Sequence, residues 1–376
     1  MTRSRSIPLL GAAIALLAAA RPAACYEVAS FTSAVFDAAR SREIAYTAYY
    51  PIDFSGVASV LVFSHGGTGS TFGHTLYPYY GTHWAAAGYL AIHVNHRPSS
   101  FPTPHTFDRP ADVSFVLDQL QAGTLPLPPD LGGSLDLSAF GHAGHSYGAY
   151  TSMALAGGDF EGAPSFRYER IVAIAPISPQ GAGQFGAYDD GPMDDTWASI
   201  GIPAFDLVGG DEKDSNALGT IIEPDWRLTP YERYPDVDDK YQSILPGLDH
   251  AQMGVFANAS TQTYLAENTR LFFDVYLKGE TAGTCLIGTS PPFEGQVLGA
   301  RSDPTSGLAT RCPPPIGVPE PPFASSFALA AGLVVYGRFL VRVARLGPDR
   351  RFVVTRPDEP AHSRRDEFGR FGAASS

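Results

Sequence analysis

Cysteine and basic residues are scarce in this sequence, and each scarcity excludes a class of protein. Three cysteines in 376 residues are too few for a disulfide scaffold, and Cys25, Cys285 and Cys312 show no metal-ligand spacing. The 26 lysines and arginines are outnumbered by 38 aspartates and glutamates, which gives a formal charge of −12. So acidic a chain is a poor partner for nucleic acid. We therefore expect no metal site and no nucleic-acid partner.

Internal repeats are also absent, and what is present is an alternation of short apolar runs with helical patterns. Apolar, often β-branched runs predict strands over 43–52, 57–63, 89–94, 135–140, 170–175, 202–208 and 240–245. Helices are predicted over 84–87, 108–121, 149–156 and 261–278. The first strand ends in Tyr-Tyr-Pro like an edge strand. This alternation indicates a mostly parallel sheet covered on both faces, with ligands at the carboxyl ends of its strands.

The amino terminus has the three parts of an export signal. Arginines at positions 3 and 5 precede an apolar run over 7–20 and then small residues up to Ala24. This order predicts a secretory signal peptide over 1–24, with cleavage after Ala20 or Ala24. Lipidation of Cys25 is an alternative, which the poor lipobox Pro22-Ala23-Ala24 disfavours. The catalytic domain is then expected over 26–279.

The carboxyl-terminal third loses its periodicity before a second apolar run. Residues 280–322 are rich in Gly, Pro, Ser and Thr and are predicted to be a linker. Cys285 and Cys312 bracket this stretch, so in an exported protein they are candidates for a disulfide that closes the loop. Residues 323–345 are long and apolar enough to span a bilayer, and 346–376 form a basic polar tail.

Short motifs flank that apolar run on both sides. Val318-Pro319-Glu320-Pro321 precedes it, and its apolar residues end at Val343, where arginines such as Arg345, Arg350 and Arg351 form a basic flank. The three parts resemble the PEP-CTERM sorting signal of Gram-negative bacteria, which implies membrane association and processing by an exosortase. About thirty polar residues follow the basic cluster, which departs from that pattern. The alternative is a plain anchor helix with the arginines on the cytoplasmic side. We expect a protein of the periplasm or cell surface, either anchored or released after processing.

The stretch that points to chemistry is Gly144-His145-Ser146-Tyr147-Gly148, between a predicted strand and a predicted helix. A nucleophile on so sharp a turn sits in strained backbone and needs small neighbours two positions away on either side. Gly144 and Gly148 meet that need, so the pattern predicts Ser146 as the nucleophile. The alternative is a glycine-rich turn with an incidental serine.

A serine nucleophile needs a base, and the base needs an acid that orients it. In this strand–turn–helix arrangement the partners follow as serine, acid, histidine. The strand over 202–208 leads to three competing carboxylates within Asp211-Glu212-Lys213-Asp214. Asp214 is favoured because its spacing from Gly210 resembles the acid loop of bacterial polyester hydrolases, and Asp211 is the second choice. His250 follows the last core strand and is the predicted base, since the other candidate histidines precede the acid. These are His65, His74, His93, His96, His142 and His145.

The negative oxygen of the reaction intermediate needs two preorganised donors. One is predicted to be the backbone N–H of Tyr147, and the other that of Gly67, in the loop after the strand over 57–63. His65 in that loop is expected to be structural. Gln180, Phe185 and Trp197 are candidate substrate-lining residues. The acidic residues over 189–195 fit no calcium-loop spacing and are expected to be solvated.

Several short motifs follow one another in a familiar order. They are Ser64-His65-Gly66-Gly67, Tyr80-Gly81-Thr82-His83-Trp84, Arg109-Pro110-Ala111-Asp112-Val113, Gly144-His145-Ser146-Tyr147-Gly148-Ala149-Tyr150 and Asp249-His250. Over 31–279 the chain resembles a bacterial family of predicted dienelactone-hydrolase-like proteins, which is similar to platelet-activating-factor acetylhydrolases and polyester hydrolases. The resemblance implies an α/β-hydrolase fold and ester hydrolysis without a cofactor. Classical dienelactone hydrolases use a cysteine, so Ser146 argues against dienelactone as substrate.

The resulting hypothesis is a serine carboxylesterase, or a lipase-like, polyester-hydrolase-like or acetylhydrolase-like enzyme, which acts through an acyl-enzyme at the cell envelope. Two alternatives remain at this point. The first is a binding protein without catalysis on the same fold. The second is a peptidase or acyltransferase that uses the same triad.

Overall fold

The computed structural model describes residues 25–67, 70–97, 104–160, 164–182, 196–215, 221–222, 224–280 and 297–301. Contacts divide the chain into two units, Met1–Gly317 and Val318–Ser376, and every described residue belongs to the first. The predicted signal peptide, the Cys285–Cys312 pair, the apolar run over 323–345 and the basic tail lie outside the described residues. Within the described ranges, no helix is both long and apolar enough for a membrane crossing.

Eleven strands are described, and nine of them form one sheet. In chain order they are β1 Val28–Asp37, β2 Arg42–Pro51, β3 Val57–Ser64, β4 Tyr89–Val94, β5 Ser134–His145, β6 Ile171–Ile177, β7 Ala204–Gly209, β8 Asp214–Ser215, β9 Ile221–Ile222, β10 Lys240–Leu245 and β11 Val297–Arg301. The large sheet has the order β1-β2-β4-β3-β5-β6-β7-β10-β11, and β8 pairs separately with β9.

The centre of the sheet, from β4 to β10, is parallel throughout. The antiparallel strands lie at its edges, where β2 pairs with β4, β1 with β2, and β11 with β10. The prediction of an α/β protein with a mostly parallel sheet is therefore confirmed, although the sheet is mixed. Two expectations were wrong: β2 is not an edge strand because β1 covers it, and β11 lies inside the segment predicted to be a linker.

Five α-helices are described: α1 Pro78–Ala86, α2 Pro104–Gln121, α3 Tyr147–Leu155, α4 Thr229–Arg233 and α5 Ala259–Lys278. Two apolar clusters lie on opposite faces of the sheet, because successive side chains of a strand point to opposite sides. Val60 and Val62 of β3 pack with side chains of α2 and α3, whereas Leu61 and Phe63 pack with those of α1 and α5. The last helix ends as predicted at Gly279, whose φ of 66° suits a glycine cap.

The strand order places a crevice beside β3. The chain passes from β3 to β4 on one side of it and then to β5 on the other, so the loops after β3 and β5 leave in different directions. Crevices of this kind, at the carboxyl ends of parallel strands, are the usual ligand sites of α/β sheets. The fold therefore brings the Gly67 loop next to the turn that carries Ser146.

Candidate active site

Ser146 occupies a strained turn between β5 and α3. Its φ and ψ are 57° and −119°, in a region that residues with a side chain seldom adopt. The backbone N–H of Ser146 donates to the carbonyl oxygen of Ile177 at 2.8 Å, which ties the turn to the end of β6. The side chain is half-buried. This is the geometry that the sequence predicts for a nucleophile elbow.

Gly144 and Gly148, which flank Ser146, must be glycines because other backbone atoms approach them closely. A Cβ added to Gly148 would lie 2.0 Å from the carbonyl oxygen of Ser64 at the end of β3. A Cβ added to Gly144 would lie 2.4 Å from the carbonyl oxygen of Gly148. No side chain fits at either position, so the predicted need for small neighbours of Ser146 is confirmed.

His250 lies in the loop after β10 and reaches Ser146 directly. Its Nε2 is 2.9 Å from Ser146 Oγ, and its Nδ1 is 2.7 Å from Glu212 Oε2. A carboxylate only accepts, so Nδ1 carries the hydrogen and Nε2 is left to accept from the serine hydroxyl. Glu212 is fully buried, whereas the imidazole is 24% exposed. The three side chains thus form one hydrogen-bonded row that opens to solvent at the histidine.

The acid in this row is Glu212, which corrects the prediction of Asp214 and the second choice of Asp211. Asp211 is exposed at the turn after β7. Asp214 has already entered β8, where it pairs with Ile222. All three carboxylates lie within four positions, and only the path of the turn decides that the middle one faces His250.

The environment of Glu212 fixes its carboxylate in place. Its Oε1 accepts from the backbone N–H of Gly209 at 2.6 Å and from the hydroxyl of Ser178 at 2.7 Å. Both of these donors bind Oε1, and the other oxygen, Oε2, faces His250. Hydrogen bonds of this kind compensate for the loss of water around a buried charge.

Arg227 is a member of the site that sequence reasoning missed. It is 1% exposed, and its Nε lies 2.9 Å from Glu212 Oε2. Its Nη1 donates to the carbonyl oxygens of Ser178 and Pro179 at 2.9 and 3.0 Å. The residue comes from a short 3-10 helix, Pro224–Leu228, for which the sequence carries no catalytic signal.

A buried arginine, Arg109, stabilises the loop after β3 that carries Gly67. Gly67 has a φ of 78°, which requires glycine. Arg109 Nη1 donates to the Gly67 carbonyl oxygen at 3.0 Å, and Nη2 donates to that of His65. Burial lowers the pKa of Arg109 to about 10, so the guanidinium stays charged at neutral pH. Arg109 thereby fixes the carbonyl ends of these two peptides, and its Nε also donates to Thr151 Oγ1 of α3 at 3.2 Å.

His65 supports this loop, as the sequence predicts. Its Nδ1 lies 2.7 Å from the Gly66 carbonyl oxygen, and its Nε2 accepts from the backbone N–H of His96 at 3.0 Å. Burial lowers the pKa of His65 well below its ordinary value. The ring is therefore neutral, and both nitrogens are engaged in structural bonds.

Tyr147 is the first residue of α3, so its backbone N–H lies at the positive end of the helix dipole. That position favours negative charge beside Ser146. The phenol ring of Tyr147 packs beneath the Arg109 guanidinium, 4.9 Å from it. The roles of Tyr147 and Gly67 as oxyanion donors stay predictions.

His145 connects the two loops on either side of Ser146. Its Nε2 donates to the carbonyl oxygen of His250 at 3.0 Å, and its Nδ1 accepts from the hydroxyl of Tyr77 at 3.0 Å. Burial, followed by the nearby His250, holds the pKa of His145 well below its ordinary value. A neutral imidazole suits this position, since one nitrogen donates and the other accepts.

Ser64, His96 and Asp112 form a second hydrogen-bonded row of serine, histidine and aspartate. Ser64 Oγ is 3.0 Å from His96 Nε2, and His96 Nδ1 is 3.1 Å from Asp112 Oδ2. All three residues are at most 1% exposed. Solvent does not reach this row, so we interpret it as a buried structural network.

The three predicted substrate-lining residues have different outcomes. Trp197 is fully buried in the core, where its Nε1 donates to Met153 Sδ at 3.2 Å, so its assignment to a pocket wall was wrong. Gln180 lies three residues beyond β6, on the correct edge of the sheet, and is 2% exposed. Its role stays a prediction. Phe185 lies outside the described residues, as does the acidic run over 189–195.

Comparison with known proteins leaves the site itself as the source of functional inference. The chain matches no family model and none of the curated proteins with which it was compared. Among the described residues, no group of three or more His, Cys, Asp or Glu side chains is arranged to hold a metal ion.

Proposed function

We propose that this protein is a serine hydrolase that cleaves carboxylic esters with Ser146 as nucleophile, His250 as base and Glu212 as the acid. The observation that carries the proposal is the continuous row from Glu212 Oε2 through His250 to Ser146 Oγ, with separations of 2.7 and 2.9 Å. A strained serine at the tip of a strand-to-helix turn supports it, because such strain is retained where a reactive group must be presented.

In the first half of the reaction, Ser146 Oγ attacks the carbonyl carbon of the ester while its proton passes to His250 Nε2. Glu212 stabilises the imidazolium that forms and keeps its Nδ1–H in place. The negative oxygen of the tetrahedral intermediate is taken up by the backbone N–H groups of Tyr147 and Gly67. The intermediate collapses when the alkoxide leaves with the proton from Nε2, and the acyl group remains on Ser146.

In the second half, water replaces the alcohol. His250 Nε2 accepts a proton from the water as its oxygen attacks the acyl carbon, and the same proton then returns to Ser146 Oγ as the acid departs. No cofactor is required by this sequence of steps. The partial exposure of His250 supports it, because both the alcohol and the water must reach Nε2.

The finer description of the fold belongs to the same proposal. We assign the chain to the α/β-hydrolase fold, on the order serine, acid, histidine along the chain and on its resemblance to dienelactone-hydrolase-like proteins. The signal-like amino terminus and the sorting-like carboxyl terminus support export to the cell envelope, with anchoring or release after exosortase processing.

Two exposed phenylalanines support an ester with an apolar group as substrate. Phe72, which is 60% exposed, follows the Gly67 loop, and Phe256, which is 75% exposed, follows the His250 loop. An exposed aromatic ring on a loop next to a site can contact an apolar part of a ligand. We expect p-nitrophenyl esters with longer acyl chains to be better substrates than p-nitrophenyl acetate.

A fluorophosphonate probe tests the proposed function, because it reacts with a serine that a neighbouring base activates. Labelling of Ser146, located by peptide mass spectrometry, together with turnover of p-nitrophenyl esters is the expected result. Folded protein without labelling would favour a binding protein. Turnover of peptides but not of esters would favour a peptidase, and acyl transfer to an added alcohol in preference to water would favour an acyltransferase.

A further inference from the structure

Arg227 contacts the acid of the site rather than the serine or the histidine. Its guanidinium forms an ion pair with Glu212 at 2.9 Å, and both side chains are at most 1% exposed. A buried carboxylate without a counter-charge is strongly disfavoured. The arginine therefore balances the charge of the residue that orients His250.

Among the described residues, few other charges reach this pair. His145, which packs against His250, is neutral, and Ser178 contributes an uncharged hydroxyl to Glu212. Asp211 and Lys213 beside Glu212 are exposed, as is Asp249 beside His250, so solvent screens them. Within the described part of the site, Arg227 is the buried cation in contact with the acid.

We propose that Arg227 is a positioning residue whose charge balances that of Glu212 and so keeps the Glu212–His250 pair in the form in which His250 accepts the proton of Ser146. The two groups are hydrogen-bonded at 2.7 Å, so a change of charge beside Glu212 also acts on the His250 ring. With the arginine present, the charges of Arg227 and Glu212 cancel, so an added proton makes the group of Arg227, Glu212 and His250 positive. Without it, the same proton cancels a buried negative charge and binds more readily.

The consequence for catalysis rests on the proposed function. A proton on the pair disables the base, whether it resides on His250 or on Glu212. Replacing Arg227 by a neutral residue should therefore move the acidic limb of the activity profile to higher pH. A residue that only clamps the carbonyls of Ser178 and Pro179 would not move that limb.

The experiment compares the full chain with Arg227→Gln, Arg227→Lys and the control Arg233→Gln, which removes an exposed arginine from the neighbouring α4. The rate of fluorophosphonate labelling is measured from pH 5 to 9. We expect Arg227→Gln to move the acidic limb upward by about one pH unit or more. Arg227→Lys, which keeps the charge, and Arg233→Gln should keep the wild-type limb. An unchanged limb in folded Arg227→Gln, or an equal shift in Arg227→Lys, would overturn the proposal.

Two further measurements test Arg227 if the wild-type protein is not labelled or if a variant does not fold. NMR titration of the His250 ring in the same variants needs no activity, so it tests Arg227 even if wild-type protein is not labelled and the proposed function fails. If Arg227→Gln does not fold, the double variant Arg227→Gln/Glu212→Gln removes both buried charges. Recovery of folding in the double variant supports charge balance by Arg227, whereas two unfolded variants would assign it a purely structural role.

Discussion

The imidazole of His145 packs against that of His250 in a tilted arrangement, with ring centroids 4.8 Å apart and planes inclined by 32°. The residue before the candidate nucleophile thus forms one wall of the space that holds the candidate base. Gly254 permits this arrangement, since a Cβ at that position would lie 2.4 Å from the His145 ring. The His250 loop is therefore packed against the elbow itself, and the separation of Ser146 from His250 depends on that packing.

Ser146 should be indispensable for ester turnover. Removal of its hydroxyl in Ser146→Ala eliminates the acyl-enzyme, so we expect kcat to fall by at least about 10³-fold. The measurement is hydrolysis of p-nitrophenyl esters by purified protein, with circular dichroism as a test of folding.

Ser64→Ala is the matched control for that variant. It removes a serine that is also hydrogen-bonded to histidine but fully buried. We expect it to lower the free energy of unfolding by about 1–3 kcal/mol, because buried partners lose a hydrogen bond. Probe labelling of Ser146 should persist. Wild-type turnover in Ser146→Ala would place the nucleophile elsewhere.

Glu212 should matter far more to activity than its two acidic neighbours. Glu212→Gln keeps the shape of the side chain but no longer holds His250 as a carboxylate does. We expect kcat to fall on the order of 10⁴-fold, as in other triads whose acid becomes an amide. Asp211→Asn and Asp214→Asn are the controls and should remain near wild type. A large loss in Asp214→Asn with activity retained in Glu212→Gln would restore the assignment made from sequence.

Acid should destabilise the fold through its buried histidines. Burial lowers the pKa of His93 and His142 from 6.5 to about 3, and it lowers those of three other histidines well below 6.5. These three are His65, His96 and His145. Below pH 6.5 the unfolded chain binds protons that the folded chain does not, so stability is complete above that value and decreases as pH falls. Each such histidine contributes about 1.4 kcal/mol per pH unit.

Urea unfolding between pH 7.5 and pH 5 measures this effect, and one variant isolates the histidine contribution from that of carboxylates. His93→Leu should reduce the dependence of unfolding free energy on pH by about one proton. A dependence equal to wild type in His93→Leu would show that His93 is not neutral in the fold.

The carboxyl-terminal apolar run should anchor the full chain to membranes, while the domain with Ser146 remains active without it. A chain that ends at Pro313 retains β11, which pairs with β10 over Val297–Arg301, and should be soluble and equally active on a small ester. Membrane fractionation and mass spectrometry of the carboxyl terminus are the measurements. A full chain that is soluble and intact to Ser376 would rule out the anchor. The control is a chain that ends before β11, which should be less stable.

The sequence alone determined the features that depend on local patterns. Apolar runs of strand length predicted the parallel centre of the sheet, because strands buried on both faces need apolar residues throughout. The spacing of glycines around Ser146 predicted the elbow, since the turn has no room for side chains. Chain order predicted which histidine reaches the serine, and His250 does so at 2.9 Å.

Only the tertiary structure decided the features that depend on distant contacts. Glu212 rather than Asp214 faces His250 because of the direction of one turn and because of two donors, Ser178 just beyond β6 and Gly209 at the end of β7, which no local pattern encodes. Arg227 joins the site from fifteen residues further along the chain than Glu212, and nothing in its own segment distinguishes it from a surface arginine. The edge strand β11 likewise has too little periodicity to be seen until β10 offers it hydrogen bonds, because an edge strand is stabilised by its partner rather than by its own sequence.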